Sequence, residues 1–147
     1  MKKLKKMNNH LLEVTPPDIL ALDDGISVLI LGHPGWLPNL KDFVNKTFIH
    51  SPVVLFYSNK GIRSDNVHWA VYQNKLADYC ILDLETANEL ELMLALTRDR
   101  ATFFICDPQS QKDKRRILHA REQEAMVFDS VEQMKTYFQN IIFREPE

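Results

Sequence analysis

Residues 27–32 read Ser27-Val28-Leu29-Ile30-Leu31-Gly32, and three later runs repeat the pattern: Pro52-Val53-Val54-Leu55-Phe56-Tyr57, Asp78-Tyr79-Cys80-Ile81-Leu82-Asp83 and Ala101-Thr102-Phe103-Phe104-Ile105-Cys106. A strand with one wet face alternates polar with apolar residues. These runs do not alternate, so both of their faces must be covered, as in parallel strands flanked by helices. A shorter fifth run, Ala125-Met126-Val127-Phe128, completes the series.

The segments between the runs have helical period. Leu40, Phe43, Val44 and Phe48 form one stripe of 37–48, and Val71, Tyr72 and Leu76 one stripe of 67–76. Leu90, Met93, Leu94 and Thr97 share a side of 86–98, and Ile117, Leu118 and Ala120 mark a weaker helix over 112–124. Val131, Met134, Tyr137, Phe138 and Ile141 line 130–143, where Ser130 and Gln133 form a capping-box start. Strand–helix alternation predicts a doubly wound, flavodoxin-like α/β fold: a five-stranded parallel sheet in three α/β/α layers, with right-handed crossovers. The flavodoxin-like strand order 2-1-3-4-5 is assumed for it. Residues 26–147 form that single domain. Residues 1–25 read as an N-terminal extension, with Thr15-Pro16-Pro17 as an extended or turn element and Asp23-Asp24-Gly25 as a tight turn.

The 147 residues suffice for one core without a metal or disulfide staple. A formal net charge of −2 gives no reason to expect a nucleic-acid partner. The basic runs Lys2–Lys6 and Lys112–Arg116 are short, and the first reads as a solvated tail. Cys80 and Cys106 both lie in apolar runs, so they read as buried thiols of a reducing, cytoplasmic compartment. No apolar stretch reaches membrane-spanning length and no signal-peptide pattern is evident.

Ligands of open α/β sheets bind beyond the carboxyl ends of the strands. The residues found there are Gly32-His33-Pro34-Gly35-Trp36, then Ser58-Asn59-Lys60-Gly61, then Asp83 to Glu89, then Asp107-Pro108. Four carboxylates, Asp83, Glu85, Glu89 and Glu91, fall within nine residues beside a helix start. Acidic residues in a first helical turn also serve the helix dipole and its free amides, which alone accounts for Glu85 and Asp83. A glutamate from this group aimed at the cleft could act as nucleophile or base. His33 reads equally as a ligand contact or a solvated loop residue, Trp69 more as core than as a stacking platform, and His10, His50 and His119 as surface residues. The histidines and cysteines have no zinc spacing, and GxGxxG, Walker A and Gly-x-Ser-x-Gly signatures are missing.

These motifs, in this order, resemble the nucleoside 2-deoxyribosyltransferase-like superfamily over about residues 12–138. Val28 to Pro34 resembles its first strand and Gly-Pro loop. Trp69 with Leu76-Ala77-Asp78 resembles its Trp…Leu-x-x-Ala-Asp stretch. Thr86-Ala87-Asn88-Glu89-Leu90 resembles the segment holding its catalytic glutamate, and Glu91-Leu92-x-x-Ala95 fits that helix equally well. Phe103 to Pro108 and Val127 to Ser130 resemble its last strands. The family has glycine where Glu85 and Glu91 stand here.

The resemblance implies cleavage or exchange of the N-glycosidic bond of a (deoxy)nucleoside or nucleotide, without a cofactor. Glu89, or Glu91, would be the nucleophile and Asp83 the acid that protonates the leaving base, with Asp65 a distant second. Gly32, His33, Pro34, Trp36, Trp69, Thr86 and Asp107 would line the substrate site. A homo-oligomer is implied as well. Three alternatives stay open. One is a catalytically degenerate nucleotide-binding or interaction module of the same fold. The others are a receiver-like domain, which needs an acidic pair and a lysine where His33-Pro34 and Asp107-Pro108 stand, and a Toll-like NAD hydrolase.

Overall fold

The computed structural model describes residues 11–19, 25–32, 34–47, 52–98, 101–106 and 126–139. Its strands are β1 (Leu11–Val14), β2 (Ile26–Leu31), β3 (Val53–Phe56), β4 (Tyr79–Asp83), β5 (Thr102–Ile105) and β6 (Met126–Phe128). Its helices are α1 (Leu37–Thr47), α2 (Val67–Leu76), α3 (Glu89–Leu96) and α4 (Val131–Tyr137). The strands form one all-parallel sheet in the order β1-β3-β2-β4-β5-β6. The sequence led to five strands in the order 2-1-3-4-5, and β2 to β6 keep that order. The sheet has six strands, because Leu11–Val14, in the segment read as an extension, pairs with β3 (Leu11 with Val53 through Val14 with Phe56). Four residues, of which only Leu11 and Val14 are fully buried, are too short and too mixed for a periodic signal.

Both faces of the sheet are dry, as the non-alternating runs require. Leu29 and Leu31 of β2 join Phe56, Trp69, Leu82, Leu92 and Phe104 in the core under α2 and α3. Val28 and Ile30 join Leu40, Val44, Phe103, Met134 and Phe138 in the core under α1 and α4. At the amino ends of the strands the Asp78 carboxylate receives the Ser27 N–H at 3.0 Å, and the Ser27 hydroxyl oxygen receives the Asp78 N–H at 3.0 Å. This reciprocal pair sets the start of β2 against β4.

Helix α2 turns a different face inward from the expected one, and α3 does so in part. In α2 the buried residues are Trp69, Ala70 and Gln73, whereas Val71, Tyr72 and Leu76 are exposed. The indole decides the rotation: Trp69 meets Phe56 edge to face at 6.4 Å, and its Nε1–H donates to the Asp18 carbonyl at 2.6 Å. In α3 the buried residues are Glu91, Leu92 and Ala95; of the expected side Leu90 and Leu94 are half-buried and pack against the core, while Met93 and Thr97 are exposed. That helix starts at Glu89 rather than Thr86, because Asn88 caps it (below). In α4 Ser130 Oγ receives the Gln133 N–H at 3.2 Å as expected, while Gln133 Oε1 reaches back to the Asp129 N–H at 2.8 Å. The helix expected over 112–124 lies outside the described residues.

Candidate functional site

The chain leaves β2 toward β3 on one side and later crosses to β4 on the other. The carboxyl ends of β2 and β4 therefore flank a topological switch point, the place where open α/β sheets form a crevice. Gly32 ends β2 with φ +97°, a left-handed conformation that a side chain resists. The space is closed as well. A Cβ there would sit 2.8 Å from Thr86 Oγ1 and 3.2 Å from the Asp83 carbonyl oxygen. Strand end and turn are thus in direct contact.

Asp83 ends β4 and is buried. Its Oδ2 receives the Thr86 hydroxyl at 2.6 Å, and its carbonyl receives the Ala87 N–H at 2.9 Å. These bonds fold 84–86 into a turn ahead of α3. Asn88 then caps the helix: its Oδ1 receives the Glu91 N–H at 2.8 Å, and Glu91 Oε1 receives the Asn88 N–H at 3.0 Å. This is a capping box with Asn and Glu in the two roles. Glu91 does more than cap. It is 1% exposed, and its Oε2 receives the Gly32 N–H at 2.7 Å and the Ile62 N–H at 3.3 Å. Asn88 Nδ2 in turn donates to the Ile62 carbonyl at 2.8 Å. One buried carboxylate thereby joins the turn after β2, the loop after β3 and the start of α3.

Beside Gly32 lies a cleft of about 170 Å³. Ile30, Pro34 and Leu37 give it an apolar wall, and Gly32, Tyr57, Ser58 and Asn59 a polar one. Tyr57 is fixed from behind. Its hydroxyl donates to Glu13 Oε1 at 2.6 Å and receives Lys41 Nζ at 3.0 Å, while Lys41 also pairs with Glu13 at 2.6 Å and stands 4.5 Å from the Tyr57 ring centroid. Burial and the Glu13 bond push the Tyr57 phenol up from its ordinary 10.0. For Lys41 burial acts downward, but the bonds to Glu13 and Tyr57 outweigh it and hold the ammonium above 10.5. The network ties β1, β3 and α1 together at the cleft.

The residues singled out in the sequence separate into groups. Asp83 with Thr86 and Gly32 with Glu91 form two hydrogen-bonded pairs at the strand ends, which meet where Gly32 packs against Thr86 and Asp83, and Pro34 lines the cleft beside Gly32. Glu89 is the first residue of α3, and both it and Glu85 are exposed. Asp65 is exposed in the loop before α2. Trp69 belongs to the core, and Trp36 is half-buried against the α1-side core, its buried indole N–H without a hydrogen-bond partner among the described residues. His33 and Asp107 lie outside the described residues, as do His10, His50 and His119.

Sequence reasoning missed Tyr57, Glu13, Lys41 and Asn88. Tyr57 carried a signal, since it closes the second apolar run directly before Ser58-Asn59. Glu13 carried none, because the strand that brings it there was not recognised.

No protein-family model matches the chain, and no curated protein matches it in sequence.

Proposed function

We propose that the chain binds a nucleoside or nucleotide at the carboxyl ends of β2, β3 and β4 and cleaves or exchanges its N-glycosidic bond. The observation that carries this reading is the meeting of Asp83, Thr86 and the α3 start with Gly32 at the switch point, beside a cleft with one apolar and one polar wall. Departure of a base leaves positive charge on the sugar, which a carboxylate below the anomeric carbon stabilises or traps. Glu89, exposed at the head of α3, is the nucleophile in this reading. The Asp83 carboxyl, oriented by Thr86, donates the proton that the departing base requires. Water as acceptor gives hydrolysis, and a second base gives transfer.

The test is chromatography of a deoxynucleoside pool incubated with the protein, with and without an added free base. Release of base supports the reading, and exchange that needs the added base makes it a transferase. No release from any substrate would overturn it.

A second reading, a binding module without chemistry, is favoured by one observation. Glu91, the other glutamate that fits the family's catalytic helix, has both oxygens engaged by backbone N–H groups. Ligand binding without base release would establish it.

Self-association belongs to the proposal too. Val71, Tyr72 and Leu76 on α2 and Met93 on α3 are exposed apolar side chains, and light scattering would decide the state of assembly. Among the described residues no helix is long and apolar enough to cross a membrane. The two cysteines are free and buried, which supports a reducing, cytoplasmic setting.

A further inference from the structure

Two backbone N–H groups from different loops, Gly32 and Ile62, converge on the single oxygen Glu91 Oε2. Converging amides of this kind are how a backbone holds an anion. Gly32 stands at the first strand-to-helix turn, the place where a doubly wound sheet commonly receives a ligand phosphate, and Ile62 reaches the same point from the loop after β3. Here the chain's own carboxylate, 1% exposed, fills the position. We propose that Glu91 is a resident anion that makes the β2 turn selective for an uncharged ligand group, so that the cleft takes a nucleoside in preference to its phosphorylated form.

This rests on the nucleoside reading above and narrows it. Gly32 lines the cleft, so a phosphate brought to the β2 turn finds its donor already used. It also meets a like charge that is buried and weakly screened. The same bonds remove Glu91 from the role of nucleophile. Oε2 accepts two N–H groups and Oε1 a third from Asn88, and the residue offers no exposed surface to an anomeric carbon. Glu91 is a positioning residue that acts through the loops it holds.

The experiment follows the Gly32 and Ile62 backbone amides by NMR in the full chain, titrated separately with inorganic phosphate, deoxyadenosine and deoxyadenosine 5′-monophosphate. In the wild type, phosphate leaves both amides unmoved, and the nucleoside binds about tenfold more tightly than the monophosphate. In Glu91→Ala the vacated position accepts phosphate, and both amides shift saturably. In Glu91→Gln, which keeps the shape and loses the charge, the preference for the nucleoside narrows by about threefold or more. Saturable movement of both amides by phosphate in the wild type would overturn the proposal, as would tighter binding of the monophosphate. Should Glu91→Ala not fold, the wild-type titration and Glu91→Gln decide. Should neither nucleoside nor monophosphate bind, the nucleoside reading falls by itself, while the response of the two amides to phosphate still shows whether Glu91 fills the position.

Discussion

Glu91 Oε2 receives the Gly32 N–H at 2.7 Å across 59 residues of chain. The bond joins the carboxyl end of β2 to the first turn of α3, and through Ile62 and Asn88 the same carboxylate also holds the loop after β3. The turn after β2, the loop after β3 and the start of α3 therefore share a single support.

Removing that support should cost stability in proportion to the donors left buried. Gly32 and Ile62 are buried, so Glu91→Ala orphans two amides, whereas Asn88 is exposed and its N–H can turn to water. The expected loss is about 2–4 kcal/mol by urea unfolding. Glu91→Gln keeps an oxygen toward Gly32 and Ile62 and gives up only the capping bond, for about 1 kcal/mol. Equal losses in the two variants would contradict the division of labour between the two oxygens.

Gly32→Ala combines a positive φ with a 2.8 Å approach to Thr86 Oγ1. Thr86 cannot swing aside without giving up its bond to Asp83. We expect a loss of about 2–3 kcal/mol. A Thr86→Ala change in that background should recover part of it by removing the clash. A Gly32→Ala protein as stable as the wild type would mean that the turn is looser than described.

Much of this architecture was readable in advance. Four non-alternating apolar runs led to a parallel sheet with both faces covered, while the order of β2 to β6 matches the flavodoxin-like order assumed for them, which strand–helix alternation alone does not fix. The short β1 escaped because four residues carry too little period, and with it escaped Glu13 and the network behind Tyr57. The face of α2 escaped for a different reason. Counting apolar residues favours Val71, Tyr72 and Leu76, but the outcome depended on one indole and its distant acceptor, Asp18. The acidic cluster was visible as a cluster. Its division into a buried loop-tie (Glu91), a strand-end carboxyl (Asp83) and exposed residues (Glu85, Glu89) depends on Asn88 starting the helix three residues late. That placement sets which of the carboxylates faces the sheet.

The Glu13–Lys41–Tyr57 network should show itself at high pH. Both Lys41 and Tyr57 hold their protons more tightly in the folded chain than their ordinary 10.5 and 10.0. Groups raised in this way contribute stability that is complete below the unfolded values and fades as pH rises through the folded ones. Stability should therefore hold to about pH 10 and fall beyond it. The phenolate absorbance lost in Tyr57→Phe should titrate above 10.0. Glu13→Gln should bring that step down and Lys41→Met should drive it further up, because Glu13 disfavours the phenolate and Lys41 favours it. Titration of Tyr57 as a free phenol would contradict the network.

Cys80 is fully buried between strands, and burial pushes its thiol up to about 12. A thiol without thiolate character or access is inert. Near pH 8 an aromatic disulfide reagent should label it only as fast as the chain unfolds, and urea should expose it. Rapid labelling of the native protein would contradict its place in the core.

The central claim is that the strand-end site breaks N-glycosidic bonds with Glu89 acting on the sugar and Glu91 holding the loops. Base release from deoxynucleosides, measured side by side for the wild type, Glu89→Gln and Glu91→Gln, tests it most directly. The expected result is release by the wild type, a fall in kcat of about 100-fold or more in Glu89→Gln, and kcat and KM largely kept in Glu91→Gln, whose remaining oxygen still holds Gly32 and Ile62. Release that survives Glu89→Gln but disappears in Glu91→Gln, or a wild type that releases no base, would contradict the account.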